Sequence, residues 1–209
     1  NNAPFSTDSL VEDYELGLII HRLGGQSILA HHVDDAGALI STRALFPMTM
    51  VASVRQKTRW ITGIALAGWD RIGWSPNFAE IWMRLHDRRS IMAAIVVAAG
   101  YILAVLTIGL WLAKLGGFAP SLQRPIASWM QIMLIGSFVL LCWRLALRAK
   151  FTARQYGWRQ GLLAVSRQPV ANIIAIAAAG RAIVTYTRIC FGKPVRWDKT
   201  DHNALDHNS

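Results

Sequence analysis

Two clusters in the first third of the chain carry side chains that could do chemistry. The first is Glu12 and Asp13 in "VEDYELG". These paired carboxylates fall in the first turn of a helix if Ser9 and Glu12 form a capping box and Gly24 and Gly25 close the far end. Acidic residues in a first turn complement the positive end of the helix macrodipole, and that role alone accounts for many such pairs. A carboxylate there could also serve as a general base. Asp13 would then take the proton of an acceptor hydroxyl as that hydroxyl attacks the anomeric carbon of a sugar.

The second cluster is "RQKTRW", residues 55–60. Gln56, Arg59 and Trp60 stand at i, i+3 and i+4, so a helix presents them on one face. One reading is a basic amphipathic helix resting on anionic lipid. The other gives Arg59 charge-assisted hydrogen bonds to a departing diphosphate and Gln56 an adjacent polar contact, with Trp60 as a flat apolar platform for a sugar ring. Neither cluster is specific alone; the two together are.

Other chemistry-bearing residues point less sharply. "HHVDD" offers His31, His32, Asp34 and Asp35, but consecutive side chains on a strand face opposite ways and do not converge on a metal. Cys142 and Cys190 form neither a disulfide framework nor a CxxC pair. Most of the nine Trp residues fit an interfacial belt, and only Trp60 is singled out by its motif.

The elements that must position these residues belong to a membrane protein. Hydrophobic residues make up 53% of the 209 residues and charged ones 16%, and the apolar residues gather in long runs in the second half. The net charge of +10 would suit nucleic acid, anionic lipid or a phosphorylated substrate. Its placement beside the apolar runs, with no basic arm or zinc spacing, argues against nucleic acid. The start "NNAPFSTDS" has no Met and no signal-peptide pattern, and reads as a piece of something longer.

Residues 26–35 read as a short strand ending in a polar turn, which with the first helix makes a small α/β element. Helical patterning returns over residues 47–69. Residues 69–90 mix Trp69, Trp74 and Trp82 with Arg71, Arg84, Arg88 and Arg89, as expected of helices in the headgroup layer. Residues 91–115, at ~1.5 Å per residue, reach across a ~30 Å core. A second span over residues 126–147 follows the turn "GGFAPSLQRP" and completes a hairpin whose basic flanks place both ends in the cytoplasm. Residues 170–191, interrupted by Arg181 and Arg188, read as an interfacial or partly buried helix in preference to a span. The tail from residue 193 reads as a polar linker.

"ED" followed some forty residues later by Q-x-x-R-W and then by membrane helices resembles the C-terminal half of membrane-bound family 2 glycosyltransferases, the group of the cellulose and hyaluronan synthases. "TRALFP", "RQKTRWITGIALAGWD" and "WDKTDH" are most similar to its bacterial phage-adsorption subgroup. The resemblance implies a mainly α integral membrane protein. Residues 1–68 would be the C-terminal remnant of an α/β glycosyltransferase domain of the GT-A type. Interfacial helices at 69–90, a transmembrane hairpin at 91–147, cytoplasmic or interfacial helices at 148–192 and the tail at 193–209 would follow. It also implies Asp13 as base, with Glu12, Gln56, Arg59 and Trp60 lining the substrate site, and transfer from a nucleotide-sugar to a carbohydrate or lipid-linked hydroxyl.

A divalent cation, Mg or Mn, is expected in the full-length enzyme, with its D-x-D ligands outside this chain; the isolated piece would be inactive. Membrane lipids and an outer-membrane protein are the further expected partners, and the bacterial inner membrane the expected location. The rival reading is a non-catalytic adaptor whose basic interfacial helices dock lipid or a partner protein.

Overall fold

The computed structural model describes residues 9–28, 30, 32–35, 37, 40, 47–74, 77–118 and 127–192. The chain is mainly α. Its described helices are α1 (Glu12–Arg22), α2 (Met50–Ile61), a π-helical segment (Thr62–Ala67), α3 (Gly68–Ile72), α4 (Phe78–Leu115), α5 (Ser128–Tyr156), α6 (Trp158–Ser166) and α7 (Gln168–Cys190). Three of them, α4, α5 and α7, are long and apolar enough to cross a membrane. The chain divides into two compact units, residues 1–96 with 174–209, and residues 97–173.

In the first unit, α1 starts differently from expectation. The Ser9 hydroxyl accepts from the N–H of Val11 at 3.2 Å instead of reaching into the helix. No side chain caps α1, and the helix begins at Glu12, with Val11 at the cap position. Ser9, Leu10 and Val11 are buried, so tertiary packing fixes this start where a capping box was expected. Its far end closes as the sequence implies. Gly24, at φ +82°, and Gly25 donate to the carbonyls of His21 and Ile20, the paired bonds of a Schellman motif.

The strand expected over residues 26–35 is absent from its described residues, where Val33 makes only an isolated bridge. Gly37 N–H closes a turn on the Asp34 carbonyl, and Ile40 N–H reaches the His32 carbonyl at 2.9 Å. A strand keeps its shape through a ladder with a neighbour, and the described residues supply no second strand. Residues 29 and 31 of that stretch, most of "TRALFP", most of the "GGFAPSLQRP" turn and the tail lie outside the described residues.

The helical pattern of residues 47–69 is borne out with one change of pitch. Thr49 caps α2 by accepting from Ala52 N–H at 3.2 Å. Past Ile61 the helix widens into the π segment, in which Gly68 N–H bonds back five residues to the Gly63 carbonyl. A Cβ on Gly68 would collide with that carbonyl, so a residue without a side chain lets the wide turn rejoin α3. Gly73, at φ +65°, then ends the run.

The core of this unit is built from small residues. Ala178, Ala179 and Ala182 of α7 pack with Ile61, Ala65 and Ala94, backed by Val54, Leu66 and Ile91. Such residues let backbones approach closely, the packing mode of helices in membranes. Thr58 of α2 donates to the Ala178 carbonyl at 3.4 Å, and Tyr186 of α7 donates to Asp70 of α3 at 2.9 Å.

Helix α4 runs unbroken through the boundary expected at residue 90. At 38 residues it reaches ~57 Å, far more than a bilayer core, so its first turns stand outside the hydrocarbon if the rest spans it. Gly117 and Phe118 close it with a second Schellman pair, to Lys114 and Ala113.

In the second unit, α5 ends at Gly157, whose φ of +89° turns the chain back so that α6 lies against α5. Gly161 permits this: a Cβ there would come within 2.7 Å of both the Ala149 carbonyl oxygen and Ala153 Cβ. A chain of hydrogen bonds then runs from Arg148 to Gln168 (2.7 Å), to Asn172 (2.9 Å) and to Tyr101 (3.1 Å).

Candidate functional site

Both sequence motifs lie in the first unit, and the segments that carry them touch. Val11, next to Glu12 and Asp13, packs on Gly63, three residues beyond Trp60: a Cβ on Gly63 would stand 2.7 Å from Val11 Cγ2 and 3.2 Å from Leu10 Cβ. Helix α1 thus starts against the end of the helix that bears Gln56, Arg59 and Trp60.

Glu12 and Asp13 are exposed in the first turn of α1, as their spacing implied. The Asp13 carboxylate accepts from Tyr14 N–H at 2.8 Å. On α2, Gln56 and Arg59 are half-buried and Trp60 is 41% exposed, open enough for a ring face to receive a ligand. Arg59 Nε is buried and finds no hydrogen-bond partner among the described residues. One turn further on, Thr62 is 1% exposed and its hydroxyl is likewise without a partner among them. Unpaired polar atoms of this kind are costly in a finished interior.

Several supporting residues were not singled out by sequence reading. Tyr14 donates to Asp87 of α4 at 3.0 Å, while Arg22 donates to the Ile72 carbonyl at 2.7 Å and stands 3.7 Å from Glu80. Residues 14 and 22 thus meet 87 and 80, so α1 lies antiparallel to the start of α4. Burial, and then the neighbouring Asp87, push the Tyr14 hydroxyl up to about 12. Arg84, 1% exposed, is bound to the Gly73 carbonyl and to the buried Glu80. The i, i+4 spacing of Glu80 and Arg84 was a legible signal for this pair. The Arg88 guanidinium lies 3.7 Å over the Trp69 ring, and Trp69 meets Trp74 edge to face at 4.6 Å.

Among the described residues no group of three or more His, Cys, Asp or Glu side chains could hold a metal ion. The divalent cation that the resemblance implies was expected on D-x-D ligands outside this chain, so these residues are not the ones that would hold it.

The chain is similar to bacteriophage adsorption protein B of Escherichia coli strain K12, at 28% identity over 227 aligned positions that cover 95% of this chain and 29% of that protein. The same identity and coverage relate it to bacteriophage N4 adsorption protein B of Escherichia coli O157:H7. The chain thus spans less than a third of the length of the curated relatives it matches. The resemblance of the motifs to bacterial phage-adsorption proteins is borne out by this similarity. No family model and no solved structure matches the chain.

Proposed function

We propose that this chain is the C-terminal part of an inner-membrane glycosyltransferase that moves a sugar from a nucleotide-sugar to a hydroxyl acceptor with inversion. In this reading Asp13 takes the acceptor's proton as its oxygen bonds to the anomeric carbon. The bond from that carbon to the diphosphate breaks, and the diphosphate leaves with the electron pair. Arg59 and Gln56 stabilise the charge that develops on it, and Trp60 stacks on a sugar ring. The observation that carries the reading is the contact of Val11 with Gly63, which joins the carboxylate-bearing turn to the arginine-bearing helix. The Nε of Arg59, which has no partner among the described residues, supports it, because an anionic ligand would satisfy that donor.

The names of the relatives attach phage adsorption to proteins of this kind. The corresponding role here is synthesis of a surface carbohydrate, or assembly with an outer-membrane partner, that a phage uses. The test is transfer by membranes containing the complete protein, supplied with radiolabelled UDP-glucose, UDP-galactose and UDP-N-acetylglucosamine. Incorporation should exceed that of Asp13→Asn by roughly the 10²–10⁴ typical of general base catalysis. Equal incorporation by the two proteins would leave the adaptor reading in its place.

A further inference from the structure

We propose that Tyr14 is a positioning residue: it anchors the first turn of α1 on Asp87 of α4 and so aims Asp13 at the acceptor. This rests on the reading of Asp13 as base. Helix α1 has 11 residues, too few to hold itself in water, so its placement comes from what it packs on. At its far end Arg22 is tied to the Ile72 carbonyl and faces Glu80. At its first turn Tyr14 Oη donates to Asp87 Oδ2 at 3.0 Å across 73 residues of sequence.

The same residue holds the Asp13 carboxylate through its backbone N–H at 2.8 Å. Neighbouring side chains on an α-helix point about 100° apart. Fixing Tyr14 toward α4 therefore fixes Asp13 away from it, on the exposed side. The start of α4 acts as the reference from which the base is aimed, which links the site to the head of a helix long and apolar enough to span a membrane.

Tyr14→Phe keeps the ring and removes the anchor. Misplacement of a reacting group by about 1 Å can cost ~10²-fold in rate, and a partial loss of aim is expected to lower kcat about tenfold with the donor KM unchanged. Two measurements on the complete membrane-embedded protein decide the matter. Hydrogen exchange at the first-turn amides of α1 should speed up about tenfold in Tyr14→Phe. With the three radiolabelled UDP-sugars, Tyr14→Phe should slow transfer in the wild-type background and add nothing in the Asp13→Asn background, because it acts only through Asp13. Asp87→Asn, whose amide carbonyl still accepts the bond, should retain most of the activity that Asp87→Leu loses. Unchanged exchange, or a loss that adds to that of Asp13→Asn, would overturn the positioning role while leaving Asp13 as base. Full activity in Asp13→Asn itself would instead remove the reading beneath it.

Discussion

Val11 lies directly over Gly63, with Cγ2 and Cγ1 at 2.7 and 2.9 Å from where a Cβ on that glycine would stand. Val11 is buried and has little room to yield. Gly63→Ala should therefore separate the "VED" turn from the "RQKTRW" helix, at a cost of about 1–3 kcal/mol for overpacking. Thermal unfolding of the detergent-purified protein should shift down. Transfer should fall although neither motif is altered, and a melting temperature equal to wild type would show that the contact has slack.

Arg84 and Glu80 are both almost wholly buried, and Arg84 also holds the Gly73 carbonyl where α3 ends. Removing one partner of a buried pair strands the other's charge, which costs about 3–5 kcal/mol. Arg84→Ala and Glu80→Ala are each expected to destabilise by that amount in denaturant titrations. The double replacement Glu80→Leu with Arg84→Met should cost less than the sum, since no charge is left stranded. Additive losses would mean that the two residues act separately.

Alkaline stability should report on Tyr14. Its hydroxyl titrates at about 12 in the folded protein, against about 10 in an unfolded chain. A raised value means that the protonated form is favoured by folding. Its contribution is complete below about pH 10 and is lost as the pH rises from about 10 to about 12. Tyr14→Phe should flatten the stability curve in that window and leave it unchanged near neutrality in slope. Tyrosinate absorbance that rises with an ordinary midpoint for every tyrosine would contradict this assignment.

Topology tests the third apolar helix. Basic residues flank α4 and α5, so a reporter placed at Gly117 should read periplasmic and one fused after Ser209 cytoplasmic. The second outcome requires that α7 not cross, although its 23 residues are long and apolar enough to do so. Its alanine face is taken up by Ile61, Ala65 and Ala94, which suits a helix lying against the site. A periplasmic reporter after Ser209 would make α7 a third span.

Much of this arrangement was legible because helical period and apolar length are local properties. The motif helix with its face of Gln56, Arg59 and Trp60, the two long apolar helices and the glycine stop at Gly24 all follow from residues close in sequence. What was misread depended on distant partners. Ser9 and Glu12 match a capping box, but burial of Ser9 to Val11, with Leu10 and Val11 against Gly63, sets the helix start instead. Residues 26–35 have strand composition, but the described residues supply no second strand for them to pair with. The π segment left a faint trace, Gly63 and Gly68 spaced by the five residues that a π turn joins. Tyr14 with Asp87 and Tyr186 with Asp70 lie 73 and 116 residues apart, and no local pattern announces them.

The "RQKTRW" helix can be assigned to lipid or to diphosphate by replacing one cation with another. If Arg59 only anchors the helix electrostatically, charge is what counts, and Arg59→Lys should be nearly silent. If it grips a diphosphate, the planar guanidinium is needed, and a lysine with a single charged point cannot reproduce its paired hydrogen bonds. The Nε of Arg59 has no partner among the described residues, and lysine has no donor at that position with which to replace it. Trp60, 41% exposed, should matter through its ring face, so Trp60→Ala should weaken use of the acceptor. Both variants should still sediment with membranes, held there by α4 and α5. Transfer from the radiolabelled UDP-sugars at saturating donor should drop at least tenfold in Arg59→Lys. Wild-type transfer by that variant would return the helix to the role of an anchor.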